Sequence, residues 1–320
     1  MKQETARPFF SVILPVYNRE QMLATAIRSL QVQEFTDWEL LVIDDGSTDG
    51  TRAVVEQFRS DTRIRYHYQE NQERSTARNN GIKAAKGSFI CFIDSDDYYL
   101  PRHLQALHES ILSHNEKPAL YYTGYFFADA AGNRKQWKGF GPIKNKGLYN
   151  TMREELLQTN SVCIAASLLE EEQFPPQFNL FEDNHLWFRI IARSELIYIP
   201  EPTTVMCDHD GRSLHVSKTG FRKKTAKYDA VLSDLFLSGN YPLLDAAVSD
   251  REKKRFLASK LLVMVYEAMK LRMLLLAYAL LFRSLFRYFD RTRIKEYAKL
   301  LFGIPVFVIF ISRNAERSHQ

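Results

Sequence analysis

The residues best equipped for chemistry are clustered carboxylates. Asp94-Ser95-Asp96-Asp97 follows the apolar run at 88–93, and Asp44-Asp45 follows another at 38–43. Acids packed this closely repel one another unless a cation or hydrogen bonds compensate. Mg²⁺ and Mn²⁺ favour oxygen ligands and often take only one or two protein carboxylates, with water and phosphate oxygens completing the shell. The plainer alternative is that these acids cap helices and form turns, which accounts well for Asp49 and adequately for Asp97. It accounts less well for Asp94 and Asp96, at the end of a strongly apolar run. A D-x-D triplet is weak evidence alone; a second acidic strand end upstream strengthens it. Glu182-Asp183 opens a helical pattern carrying Leu186, Trp187, Ile190 and Ile191. Acids at that position are favoured by the helix dipole, so capping is one reading of this pair.

These residues need elements to hold them. Apolar runs at 9–15, 38–43, 64–68 and 88–93 have strand length, and helical patterns separate them. Asn18-Arg19-Glu20-Gln21 has the form of a capping box before a helix with Leu23, Ala26, Ile27 and Leu30 on one face. The third helix is expected at 75–86, with Gly87 as its C-cap. Pro101 opens a fourth. This alternation predicts an α/β fold, a Rossmann-like, mostly parallel central sheet with helices on both faces. Ligands of such sheets bind beyond the carboxyl ends of the strands, where the acids fall. A strand is expected at 120–127 and a glycine-, lysine- and aromatic-rich loop at 132–147. From about 221 the pattern turns helical and basic. The expected domains are a catalytic one at 1–220 and a helical C-terminal extension at 221–320.

SVILPVYNRE, ELLVIDDGSTDGT and ARNNGIKAAKGSFICFIDSDD, in this order and spacing, resemble the family 2 glycosyltransferases of GT-A fold. The resemblance runs over about residues 9–215 and is most specific in the first hundred. It implies that Pro15 and Tyr17 line a nucleoside pocket, with Tyr17 stacking on the base, and that Asp45 accepts a hydrogen bond from the base. Asp44 is read as a structural turn acid. Arg74 falls where the family often sets a base- or phosphate-contacting arginine; a solvated surface arginine is the alternative. The resemblance assigns Asp94 to ribose and metal-bound water, Ser95 to ribose or the turn, and Asp96 to the metal itself. It makes Asp183 the general base and Glu182 the neighbour that orients acceptor or base. In the stretch CDHDGRSLH, His209 is the metal or diphosphate candidate, ahead of His215, and Arg212 is a candidate for the diphosphate. The cofactor implied is Mn²⁺ or Mg²⁺. The reaction implied is inverting single displacement: Asp183 takes the acceptor proton, and the metal stabilises the departing nucleoside diphosphate.

Composition narrows the setting. The chain has 320 residues, 45% hydrophobic and 25% charged, which excludes wholesale disorder. Cys91, Cys163 and Cys207 are odd in number and far apart, with no C-x-x-C spacing, so a reduced, cytoplasmic compartment is expected. The first ten residues lack an apolar h-region, and no secretory signal is expected. No G-x-G-x-x-G follows the first strand, which disfavours a dehydrogenase. The expected partners are a UDP-sugar donor and a glycan or lipid-linked acceptor of bacterial-type surface polysaccharide synthesis; no nucleic-acid partner is expected. A degenerate nucleotide-binding scaffold is the alternative outside enzymology. The apolar runs at 273–282 and 300–311 are too short to span a bilayer. They either pack as core or, with Lys253, Lys254, Arg255, Arg272, Arg283, Arg287, Arg291 and Arg293, form a peripheral membrane surface.

Overall fold

The structure, a computed structural model, describes residues 7–136, 157–208 and 218–289, together with 294, 295, 297, 298 and 300. The chain divides into two compact units, one of residues 1–146 and 154–212, the other of 147–153 and 213–320.

The first unit alternates strands and helices. In chain order they are β1 (Phe10–Val16), α1 (Leu23–Gln31), β2 (Trp38–Asp45), α2 (Thr51–Glu56), β3 (Ile64–Gln69) and α3 (Glu73–Ala84). There follow β4 (Phe89–Phe92), β5 (Tyr98–Tyr99), α4 (His103–Ser113), β6 (Ala119–Ala128) and β7 (Arg134–Gln136). The unit closes with β8 (Val162–Ala165), α5 (Glu182–Ile191) and β9 (Glu195–Cys207). A single turn of 3₁₀ helix, Thr159–Ser161, leads into β8.

One curled sheet runs β3-β2-β1-β4-β8-β6-β9-β5, with β7 paired to β6. The four strands that carry the expected acids, β3-β2-β1-β4, are all parallel. β6 and β9 are parallel too, while β8 runs antiparallel between β4 and β6. All eight residues of β2 are buried, as its near-continuous apolar run requires of a strand covered on both faces. Helix α3 packs on β1 and β2, α4 on β6 and β9, and α5 on β6.

Two local expectations are corrected. Helix α1 starts after Met22 with no side-chain cap, so Asn18 and Glu20 form no capping box. Asn18 takes a positive φ of 51° and accepts from the Thr48 N–H at 2.8 Å, while Glu20 accepts from the Gly50 N–H at 2.6 Å. Their polarity ties the β1–α1 connection to the β2–α2 turn instead. Gly87 is likewise no helix cap. Its N–H donates to Ser11 Oγ at 2.8 Å, and a Cβ there would stand 2.5 Å from the Ser11 nitrogen. It is a site of close backbone approach. Cys91 and Cys163, far apart in sequence, face each other in register across β4 and β8, both buried and free.

The second unit is helical: α6 (Lys218–Leu237), α7 (Pro242–Ala247), α8 (Asp250–Lys270) and α9 (Leu274–Arg287). A capping box opens α8: Ser249 Oγ accepts from the Glu252 N–H, and the Glu252 carboxylate accepts from the Ser249 N–H at 2.9 Å. Two of the expected surface cations are spent inside this unit, Lys253 on Asp245 at 2.5 Å and Arg283 on Asp229 at 2.7 Å. Lys254, Arg272 and Arg287 face solvent. Arg291, Arg293 and the run at 301–311 lie outside the described residues. Among the described residues no helix is long and apolar enough to cross a membrane.

Candidate active site

The parallel register sets the carboxyl ends of four strands along one edge. Val16 pairs with Asp44 and Asp44 with Tyr68, while the Ile93 N–H donates to the Ile13 carbonyl. Acids about fifty residues apart in sequence therefore emerge at the same end of the sheet, on either side of β1.

At the end of β2 the two aspartates have different work. Asp44 is buried, with Oδ1 accepting from the Ser47 N–H at 2.8 Å and Oδ2 from the Tyr66 hydroxyl at 2.6 Å. That is the turn role expected of it. Burial, and then the hydrogen bond to Asp44 and its charge, raise the Tyr66 phenol well above its ordinary pKa and keep it a donor. Asp45 uses only Oδ1, which accepts from Gln69 Nε2 at 2.7 Å and the Gln72 N–H at 2.8 Å. Its Oδ2 carries no hydrogen bond among the described residues. Asn80 on α3 fixes Gln69 in turn, through a 2.7 Å bond to its Oε1. Pro15 is partly buried within β1, and Tyr17, just beyond that strand, is 48% exposed.

Beyond β4, Asp94, Asp96 and Asp97 bring one carboxylate oxygen each within 4.8 Å of one another. Asp97 is the anchor. It is 1% exposed, accepts from the Cys207 N–H at 2.8 Å through Oδ1 and from Asn160 Nδ2 through Oδ2. Asn160 also accepts the Asp94 N–H at 2.8 Å. The 3₁₀ turn before β8 thus clamps the acidic loop from the side. The sequence offered a helix-capping or turn role for Asp97; the structure gives it a third place in the cluster, tied to β9. Ser95 is buried within the turn, whereas Asp94 and Asp96 keep partial exposure. Three carboxylates so close, two of them open to solvent, are a donor set that fits a hard divalent cation. His209, His215 and Arg212 lie outside the described residues.

The second acid pair heads α5. Phe181, before it, is held at a positive φ of 62°, unusual for a bulky residue, and turns the chain into the helix. Glu182 is 3% exposed and accepts from Arg78 Nη1 at 3.0 Å. Half-exposed Arg74 brings its Nε to 3.6 Å from the same oxygen. Asp183 accepts from Thr159 Oγ1 at 3.0 Å through Oδ2, and from the Asn184 N–H at 2.7 Å through Oδ1. Asn184 is fixed by the Leu157 N–H, which donates to its Oδ1 at 3.1 Å. Burial and then the Glu182 charge raise the Asp183 pKa, opposed by Arg78 and the Asn184 hydrogen bonds. A carboxylate raised in this way is more basic than a solvated one.

Arg78 connects the two acid groups. It is 2% exposed at the middle of α3, and its other nitrogen donates to Asp94 Oδ1 at 2.8 Å. Neither Arg78 nor Thr159, Asn160 and Asn184 was singled out by sequence. Arg78 lies in the ARNNG stretch, where nothing in the sequence marks it as buried. The others lie outside the three quoted stretches.

Residues 11–169 match the sequence profile of Glycosyl transferase family 2. An uncharacterized glycosyltransferase of Rickettsia conorii is 30% identical over 193 residues, 58% of this chain and 30% of that one, so the chain spans about a third of its length. The GalNAc(5)-diNAcBac-PP-undecaprenol beta-1,3-glucosyltransferase of Campylobacter jejuni is 30% identical over 67% of this chain and 70% of its own. The UDP-Glc:alpha-D-GlcNAc-diphosphoundecaprenol beta-1,3-glucosyltransferase WfgD of Escherichia coli is 33% identical over 58% of this chain and 71% of its own. Among solved structures, S. aureus TarS superposes with a TM-score of 0.61 at 22% identity, over 79% of this chain and 43% of that one. The mannosyltransferase PcManGT of Pyrobaculum calidifontis, in complex with GDP-Man and Mn²⁺, gives 0.56 at 17%, over 94% and 87%. At these identities the structures speak for the fold alone, the GT-A type. The chain belongs to the family 2 glycosyltransferases.

Proposed function

We propose that the chain moves a sugar from a nucleoside diphosphate-sugar, with UDP as the nucleotide, to a hydroxyl of a glycan or lipid-linked acceptor in bacterial surface-glycan synthesis. One observation carries the reading. Arg78 joins the Asp94, Asp96 and Asp97 cluster to the Glu182–Asp183 pair, through Asp94 and Glu182. The named relatives from C. jejuni and E. coli act on undecaprenol-linked diphosphates, and the latter uses UDP-Glc, which supports the donor and acceptor classes.

In this reading the free Oδ2 of Asp45 accepts from the base and Tyr17 offers its exposed ring to it. Pro15 and Arg74 complete the donor pocket, and Ser95 holds the turn beneath the ribose. Asp96 and Asp94 would hold Mn²⁺ or Mg²⁺, and His209, outside the described residues, would be a further ligand. When bound, such an ion supplies Lewis-acid stabilisation of the departing diphosphate. Asp183 removes the proton of the acceptor hydroxyl as that oxygen attacks the anomeric carbon from the opposite face. Configuration is thereby inverted. Thr159 and Asn184 fix the carboxylate's direction, and such positioning supplies much of the rate.

Residues 1–220 would carry this reaction and the helices of 221–320 would meet the membrane. Leu275, Phe282 and Phe286 recur at helical spacing along α9, with Leu275 and Phe286 each 85% exposed, and exposed Arg272 precedes the helix while exposed Arg287 ends it. An apolar helix face with basic flanks suits the inner surface of an anionic bilayer, where lipid-linked acceptors reside. The direct test is a panel of UDP-glucose, UDP-N-acetylglucosamine and GDP-mannose with Mn²⁺. Release of sugar from at least one, abolished by chelation, is expected; nucleotide binding without any turnover would favour the scaffold.

A further inference from the structure

We propose that Arg78 is a positioning residue that fixes the separation of the donor-side and acceptor-side carboxylates, making the two halves of the site one energetic unit. The inference rests on the glycosyltransferase reading and deepens it.

The guanidinium reaches Asp94 with Nη2 at 2.8 Å and Glu182 with Nη1 at 3.0 Å, and its Cζ lies 5.2 Å from the Phe174 ring centroid. One partner is 16 residues away in sequence, the other 104. A buried guanidinium is costly unless carboxylates compensate it, and a buried carboxylate is costly unless a cation does. Glu182, with a side chain 4% exposed, is the compensated acid; Asp94, at 35%, keeps a face open to ligand. The arginine's planar fork serves two carboxylates at once in a fixed geometry, which a lysine's single ammonium cannot do.

The surrounding helix reinforces this. Asn79 and the backbone of Phe174 exchange two hydrogen bonds, at 2.8 and 2.9 Å, and Ser75 Oγ donates to the Phe178 carbonyl at 2.9 Å. Three hydrogen bonds from Ser75 and Asn79, one turn apart on α3, therefore grip the segment that runs into Phe181 and Glu182. The helix that rests on β1 and β2, beside the Asp45 pocket, is the same helix that places the base. A disturbance at Asp94 is passed to Glu182 through a single rigid group.

The test uses the full chain and whichever donor of the panel the wild type hydrolyses. Steady-state rates are measured for Arg78→Lys, Arg78→Met, Glu182→Gln and the Arg78→Met/Glu182→Gln double variant, with thermal melting followed for each. Arg78→Lys should fold and lose about tenfold or more in kcat, with the donor KM moving less than about threefold. The double variant should be no slower than the slower single variant, since both remove the same link. Arg78→Lys within about twofold of wild-type kcat, or losses that multiply in the double variant, would overturn the inference while leaving the glycosyltransferase reading intact. If Arg78→Met does not fold, the cycle is run with Arg78→Lys, which retains the buried charge. A wild type that turns over no donor would overturn the functional reading, and this inference with it.

Discussion

Thr159 Oγ1 donates to Asp183 Oδ2 at 3.0 Å, across 24 residues of sequence, and so aims a carboxylate whose proton affinity is raised by burial and by Glu182. The hydrogen bond stabilises the ionised form against those two effects. As a general base Asp183 works only when ionised. The kcat/KM profile should therefore fall on the acid side through a pKa above the ordinary Asp value of about 4. Thr159→Val removes the stabilising donor and should move that acid limb to higher pH. A limb at the ordinary value, unmoved by the substitution, would remove Asp183 from the role.

Asn160 is the joint between the acidic loop and the 3₁₀ turn, because it serves Asp94 and Asp97 together. Asn160→Ala leaves a buried Asp97 oxygen without that donor. A loss of about 1–3 kcal/mol in urea-unfolding stability is expected, together with weaker Mn²⁺-dependent UDP binding. Unchanged binding would show that the loop holds its shape without this clamp.

Much of the site was legible because strand-end acids follow a rule of the fold. β2 and β4 are strongly apolar, so the acids that end them must stand at the sheet edge, and Asp44, Asp45, Asp94 and Asp96 do. Glu182 and Asp183 were legible as the head of a helix. Arg78 was not, because an arginine beside Asn79 and Asn80 on a weakly amphipathic helix gives no sign of burial. Its two partners come from the loop after β4 and from α5, and only the tertiary fold brings them together. Asn18 misled for a related reason: a capping residue can satisfy any nearby amide, and here the nearer one belonged to Thr48.

Gly81 lies on α3 where it crosses β1. A Cβ there would meet Ile13 Cγ2 at 2.5 Å. Gly81→Ala gains about 1 kcal/mol of helix propensity, yet overpacking of a buried contact costs about 1–3 kcal/mol. Net destabilisation is expected in chemical denaturation. A more stable variant would mean that α3 and β1 separate easily, and that α3 is not the rigid carrier of Arg78 and Asn79 described above.

If the exposed face of α9 meets an anionic bilayer, the full chain should sediment with phosphatidylglycerol vesicles at low salt and much less at about 0.15 M salt, where the Debye length is about 8 Å. The Leu275→Glu/Phe286→Glu double variant should stay in the supernatant while retaining donor hydrolysis. Equal sedimentation of wild type and variant would remove α9 from that role.

The division of labour between the two acid groups is the centre of the account. Calorimetric titration of UDP with Mn²⁺, run beside turnover of the panel donor, tests it in Asp96→Ala and Asp183→Asn. Asp96→Ala should lose Mn²⁺-dependent binding and turnover together, whereas Asp183→Asn should bind as the wild type does and transfer no sugar. Normal turnover by Asp183→Asn, or undiminished Mn²⁺-dependent binding by Asp96→Ala, would contradict it.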